Sequence, residues 1–248
     1  PARVGRLHAL PADRLRLRLP DRRRAARLRF HARAGMPDER AQRVFAALRS
    51  APFMAAAPSH FERLRGGDEL VIGPRRWQVL IGEGHSPEHV CLYCAEDRLL
   101  ISGDQLLPRI SSNVLVNANE PEGNPLAQWF ESLDRLDRCE PDTLVLPSHH
   151  GVFRGLHARV QELREHHRRQ FDVVRQLLAG CDECTAVQAM QQLFPRLRGE
   201  FDEMLALGET VAHLAWLLDA GELQRRLGPD GVYRYAITPA PHRPETHW

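Results

Sequence analysis

The sequence predicts an α+β fold, and three patterns predict it. Between residues 66 and 102 short apolar runs alternate with Gly-, Pro- and Ser-rich breaks, the pattern of brief, largely buried strands. After Asn124 the period changes: Leu126, Trp129, Phe130, Leu133 and Leu136 recur at helical spacing. The last third runs helix, helix, hairpin and reads as a small module of its own.

Each element has a local cause. Residues 1–25 carry no sustained period, but from about 22 to 49 the pattern turns helical, broken at Gly35-Met36-Pro37 with Asp38 placed to cap the second helical stretch. Residues 51–59 form a Pro/Ala connector. Strands are expected over 69–72, 76–81, 90–94 and 99–102, separated by Gly73-Pro74, the loop around His85, and Glu96-Asp97. Asn124-Pro125 opens a helix, because proline presets φ in a first turn whose N–H lacks a partner anyway. A strand over 143–146 and a long helix over 156–178 come after it. Helices over 186–194 and 203–220 are next. The second carries Leu207, Val211, Leu214 and Leu218 on one stripe, and Gly221 stops it. Residues 223–227, a Gly228-Pro229-Asp230-Gly231 turn and residues 232–237 read as a β-hairpin, and 238–248 as a loose tail.

A chain of 248 residues accommodates one large domain or two modest ones, and 43% hydrophobic with 27% charged residues is ordinary soluble composition. No apolar run approaches the roughly eighteen residues of a membrane-spanning helix. The opening residues lack the uninterrupted apolar core of a secretory signal, so a cytoplasmic location is expected. Every basic residue is arginine, and residues 1–30 hold ten of them against Asp13 and Asp21. Such a segment suits nucleic acid or a transit peptide, but an Arg-rich leader without structure is the plainer reading and the preferred one. Cys91, Cys94, Cys139, Cys181 and Cys184 are odd in number without secretory context, which implies reduced thiols. Cys91 and Cys94 sit three apart on a strand and face opposite sides, while Cys181 and Cys184 lack the second pair that structural zinc needs.

Three residues carry chemistry. His85, Asp104 and His149 each stand where an apolar run stops: Val79-Leu80-Ile81 runs into Gly82-Glu83-Gly84-His85, Leu99-Leu100-Ile101 into Ser102-Gly103-Asp104, and Val145-Leu146 into Pro147-Ser148-His149. Strands ending in such loops aim side chains from a rigid edge. Two imidazoles and a carboxylate form a borderline ligand set that suits zinc, with iron or manganese as alternatives.

At these residues the chain resembles the metallo-β-lactamase superfamily. Gly84-His85-Ser86-Pro87-Glu88-His89, Ser102-Gly103-Asp104 and Pro147-Ser148-His149 are similar to its third, fourth and fifth motifs, in order. Ile101–Ile110 and Phe153-Arg154-Gly155-Leu156-His157 resemble a bacterial hydrolase branch related to glyoxalase II, and the similarity runs from about residue 26 to about residue 236. The resemblance implies half of an αββα sandwich: a leader and helical remnant over 1–66, a partial metallo-β-lactamase-like domain over 67–160, and a helical linker with a winged-helix-like domain over 161–248. It implies two zinc ions in an intact member, with His85 on one, His149 on the other and Asp104 bridging them and acting as the catalytic carboxylate. His149 is preferred to His150, because the family places its ligand two residues after the proline.

The family's His-x-His-x-Asp-His motif, which supplies most of the ligands, does not occur here, and the chain starts at Pro1. The expectation is that the front half of the parent fold is absent, and that metal is held weakly. His89 is expected to support the loop, and Ser111 and Asn113 either to line a substrate cleft or to satisfy loop backbone groups. His166 and His167 are read as a solvated helix face, and the hairpin's Arg225, Arg226 and Arg234 as packing over the cleft. The expected function is metal-dependent hydrolysis of a thioester, lactone or phosphodiester, with a small ester- or thioester-like molecule or RNA as substrate. The alternatives are an inactive remnant or a winged-helix nucleic-acid-binding module. No membrane partner is expected, and a homodimer stays open.

Overall fold

The computed structural model describes residues 21–50 and 61–239. Most of the Arg-rich leader, all of the Pro/Ala connector and nearly all of the tail lie outside them. Helices α1 (Asp21–Arg33) and α2 (Asp38–Ser50) flank the expected break at Gly35-Met36-Pro37. A five-stranded sheet comes next in the order β1 (Glu69–Ile72), β2 (Arg75–Gly82), β3 (His89–Cys94), β4 (Leu99–Gly103) and β5 (Leu144–Pro147). The first four strands are antiparallel neighbours. Strand β5 lies parallel to β4, which requires a crossover. Helix α3 (Pro125–Leu136) supplies it, starting at Asn124, whose side chain accepts from the Ala127 N–H at 3.2 Å.

Strands β2, β4 and β5 therefore run in one direction, and their C-terminal ends meet at one sheet edge. Gly82, Gly103 and Pro147 sit there, each just before an expected ligand loop. Cys91, Tyr93, Leu100 and Val145 turn one face of the sheet into a core with Leu126, Trp129 and Leu133 of α3. The opposite face is apolar too, through residues such as Trp77, Val79, Leu92 and Ile101, as expected of a sheet that packs on both sides.

Helices α4 (Leu156–Ala179), α5 (Ala186–Leu193) and α6 (Glu200–Asp219) precede the hairpin of β6 (Leu223–Leu227) and β7 (Tyr233–Ile237). Thr185 and Gln188 cap α5 reciprocally. Helix α6 starts three residues before its expected first residue, where Glu200, Asp202 and Glu203 favour the positive end of the helix dipole. The core is continuous from Ala34 through the sheet to Tyr235, and the Arg40–Glu203 pair joins α2 to α6. This mixed α+β arrangement agrees with the expected fold class. No helix among the described residues is long and apolar enough to cross a membrane.

Candidate metal centre

Each ligand loop is tied to its scaffold. The loop after β2 carries His85 and is held by α3: the Glu83 N–H donates to Ser132 Oγ at 2.8 Å, and Arg135 Nε donates to the Ile81 carbonyl at 3.1 Å. The Gln105 side-chain amide adds a bond to the Glu83 carbonyl at 3.1 Å. Gly84 has φ 91°, and a Cβ there would lie 2.4 Å from Trp129 Cβ, so the loop touches the helix where only glycine fits. The loop after β4 is held from α4, where Arg159 donates to the carbonyls of Leu107 at 2.7 Å and Ile110 at 3.0 Å. The loop after β5 is joined to β4 through the Ser148 N–H and the Gly103 carbonyl at 3.1 Å.

These ties bring the three expected residues together with Asp104 in the middle. Asp104 Oδ2 lies 3.6 Å from His85 Nε2, and its Oδ1 lies 3.4 Å from His149 Nε2. One oxygen thus faces each imidazole. His85 Nδ1 lies 2.8 Å from the Asn113 carbonyl, which can only accept, so Nδ1 donates to it and Nε2 is the nitrogen turned toward the carboxylate, the one that carries the lone pair in the neutral ring. Two acceptors facing each other at that distance fit an intervening cation, given metal–nitrogen and metal–oxygen distances of about 2.0–2.2 Å. Ser148 Oγ donates to Asp104 Oδ1 and steadies it. The site is open, since the His149 side chain is 62% exposed and an exchangeable ligand can reach it.

The neighbouring residues hold the frame. His89 accepts the Asp104 N–H at Nε2, 3.2 Å away, and burial pushes its pKa down. Its ring occupies the space a Cβ on Gly103 would need, 2.5 Å from Cε1. Asn113 contributes its backbone carbonyl, and the Ser112 hydroxyl donates to the Asp104 carbonyl. Ser111 turns instead toward α4, where its Oγ lies 3.3 Å from His167 Nε2.

That contact corrects the reading of His166 and His167 as a solvated face. His167 is fully buried, with its Nδ1 3.0 Å from His213 Nε2, and His213 Nδ1 lies 2.8 Å from the Glu209 carbonyl. Burial pushes His167 down to about 2, His213 down to about 4, and the Glu209 carboxyl up to about 7. The sequence signal was present: Glu209 and His213 lie four apart, inside the apolar stretch 206–214 of α6.

The other singled-out residues play structural parts. Burial pushes the Cys91 and Cys184 thiols up to about 12 and Cys139 up to about 11, so these three stay protonated at neutral pH. His157 joins α4 to Asp137 at 2.7 Å and to the Cys139 carbonyl at 3.1 Å. Arg225 pairs with Glu122 and lies 4.2 Å above the Tyr233 ring, while Arg226 and Arg234 both meet Glu183.

Residues 16–149 match the Metallo-beta-lactamase superfamily, and residues 174–238 match the Metallo-beta-lactamase-like, C-terminal domain. A beta-lactamase domain protein from Burkholderia ambifaria is 49% identical with a TM-score of 0.69, over 73% of this chain and 54% of that one. A metallo-beta-lactamase family protein from Thermus thermophilus is 31% identical with a TM-score of 0.72, over 86% of this chain and 64% of that one. The probable metallo-hydrolase YqjP of Bacillus subtilis (strain 168) is 33% identical over 147 residues, 57% of this chain and 44% of that protein. The chain spans about half the length of such relatives. It belongs to the metallo-β-lactamase superfamily.

Proposed function

We propose that this chain contributes His85, Asp104 and His149 to a metal-dependent hydrolytic centre acting on a thioester, lactone or phosphodiester. One observation carries the reading: the two oxygens of Asp104 face two different imidazoles, at 3.6 and 3.4 Å. A carboxylate so placed spans two cation positions, with one histidine at each. A bound zinc, iron or manganese supplies Lewis acidity and lowers the pKa of water. The chain's own groups set the geometry. The Asn113 carbonyl fixes the tautomer of His85, His89 and Ser112 anchor the Asp104 backbone, and Ser148 orients its carboxylate. Zinc is the preferred ion, since imidazole and carboxylate suit it without imposing a redox role. The substrate is a small ester- or thioester-like molecule or an RNA phosphodiester. The nucleic-acid-module alternative gains nothing from the hairpin, because Arg225, Arg226 and Arg234 are each paired with an acid.

Three ligands shared between two positions leave each ion under-coordinated, so zinc binding here is weak. Zinc titration of the purified chain and of Asp104→Asn, by calorimetry, tests this. The expected result is a weak component present in the first and missing in the second. Identical isotherms for the two proteins would overturn the assignment of Asp104, and two tightly held, Asp104-dependent ions would overturn the expectation of weak binding.

A further inference from the structure

We propose that His166, His167 and Glu209 form a second, separate site for a divalent transition-metal cation of the zinc class, buried between α4 and α6. One ligand atom of each residue lies within 4.8 Å of the other two. Around a tetrahedral zinc, ligand atoms stand roughly 3.3 Å apart at bond lengths of about 2.0–2.1 Å. Closing on an ion therefore needs His166 and Glu209 to turn toward His167, which its bond to His213 holds in place. His166 is only half-buried, which gives it room to turn and gives a cation a way in.

A second observation points to a missing ligand. Glu209 is only 9% exposed, and its carboxylate makes no hydrogen bond or ion pair with any described residue, although its oxygens are not among the fully enclosed unpartnered atoms and so stay within reach of solvent or an entering ion. A buried carboxylate is normally paired, hydrogen-bonded or bound to metal, because desolvation of the bare charge is costly.

The hydrogen-bond chain behind the cluster sharpens this. The Glu209 backbone carbonyl can only accept, so His213 Nδ1 donates to it and His213 Nε2 is left as an acceptor. His167 Nδ1 must then donate to His213 Nε2, which leaves the lone pair of His167 on Nε2. Metal-binding histidines are oriented in this way, with the second ring nitrogen donating to a fixed acceptor. The Ser111 hydroxyl has one proton and two acceptors at 3.3 Å, the Ser112 carbonyl and His167 Nε2. The pocket thus holds more acceptors than protons. A cation supplies what it lacks, and Ser111 Oγ already stands at ligand-to-ligand distance from His167 Nε2.

The set of two imidazoles and one carboxylate suits zinc, ferrous iron or cobalt better than the hard cations calcium and magnesium. It shares no residue with the centre at Asp104, and it stands or falls independently of the hydrolytic reading.

The test uses the full chain carrying Asp104→Asn and His149→Ala, which disable the other centre. Titration with cobalt(II), read by visible absorption, and with zinc, read by calorimetry, is expected to give one ion per chain. Adding Glu209→Gln or His166→Ala to that background should weaken binding at least about tenfold. Both substitutions spare the buried His167, and circular dichroism verifies that they fold. Absence of cobalt and zinc binding in the background chain would overturn the site. So would unchanged affinity in folded Glu209→Gln and His166→Ala chains.

Discussion

Gly84 and Gly67 make a matched pair that isolates what the His85 loop owes to its contact with α3. Both have φ 91°. At Gly67 an added Cβ meets nothing within 4 Å, whereas at Gly84 it would lie 2.4 Å from Trp129 Cβ, 2.5 Å from the Pro125 carbonyl and 2.9 Å from Trp129 Cα. Alanine at either position carries the left-handed strain of an L-residue, about 1–2 kcal/mol. Only at Gly84 must helix backbone move as well, because neither the Pro125 carbonyl nor Trp129 Cα can rotate away. Overpacking of this kind costs a further ~1–3 kcal/mol. Gly67→Ala should therefore lose about 1–2 kcal/mol and Gly84→Ala roughly 2–5 kcal/mol, measured by urea denaturation of the metal-free chain. Gly84→Ala should also weaken zinc binding that depends on His85. If the two variants unfold within about 0.5 kcal/mol of each other, the close approach of α3 to Gly84 does not hold.

Two further outcomes rest on the same geometry. His149→Ala should empty one of the two Asp104-dependent zinc positions while His150→Ala leaves both nearly intact, since His149 is the imidazole facing Asp104 Oδ1; calorimetry showing the reverse would move the ligand by one residue. Burial pushes Glu209 up to about 7, so the stability contributed by its protonated form is full below the unfolded value of about 4.5 and is lost as pH rises through about 7, a change of about 3 kcal/mol. In Glu209→Gln that fall should vanish from metal-free denaturation curves, and a variant curve that still falls over the same window would refute the assignment.

Much of the fold was legible because its signals are local. Asn124-Pro125 sets the start of α3, Gly73-Pro74 separates β1 from β2, and the hairpin turn separates β6 from β7. His85, Asp104 and His149 were legible for a related reason: each comes just after a strand, and three strands running one way deliver their loops to one edge. His167 was misread because neighbouring Arg168 and Arg169 make that stretch of α4 look solvated, and they are indeed exposed. Its burial depends on Phe130, Trp129 and His213, which come from other helices and leave no mark on α4's own sequence. The roles of Ser111 and Asn113 were undecided for the same reason, since one turns on a distant histidine and the other acts through its backbone.

The two histidine systems differ in a way that explains their separate behaviour. At the sheet edge, protons on His85 are directed away from Asp104 by the Asn113 carbonyl, so the lone pair and the carboxylate confront each other in partly open space. Water can occupy that gap at little cost, and the frame survives without an ion. Between α4 and α6 the same acceptor excess is enclosed. Glu209 there must be protonated, hydrated or bound to a cation, because an isolated buried carboxylate is costly. Protonation and metal binding therefore compete for Glu209, as they do for every imidazole ligand. Zinc added near neutral pH should stabilise the wild-type chain more as pH rises, because fewer protons oppose it. Zinc-induced stabilisation that is equal in Glu209→Gln would show that the ion stabilises the chain from elsewhere.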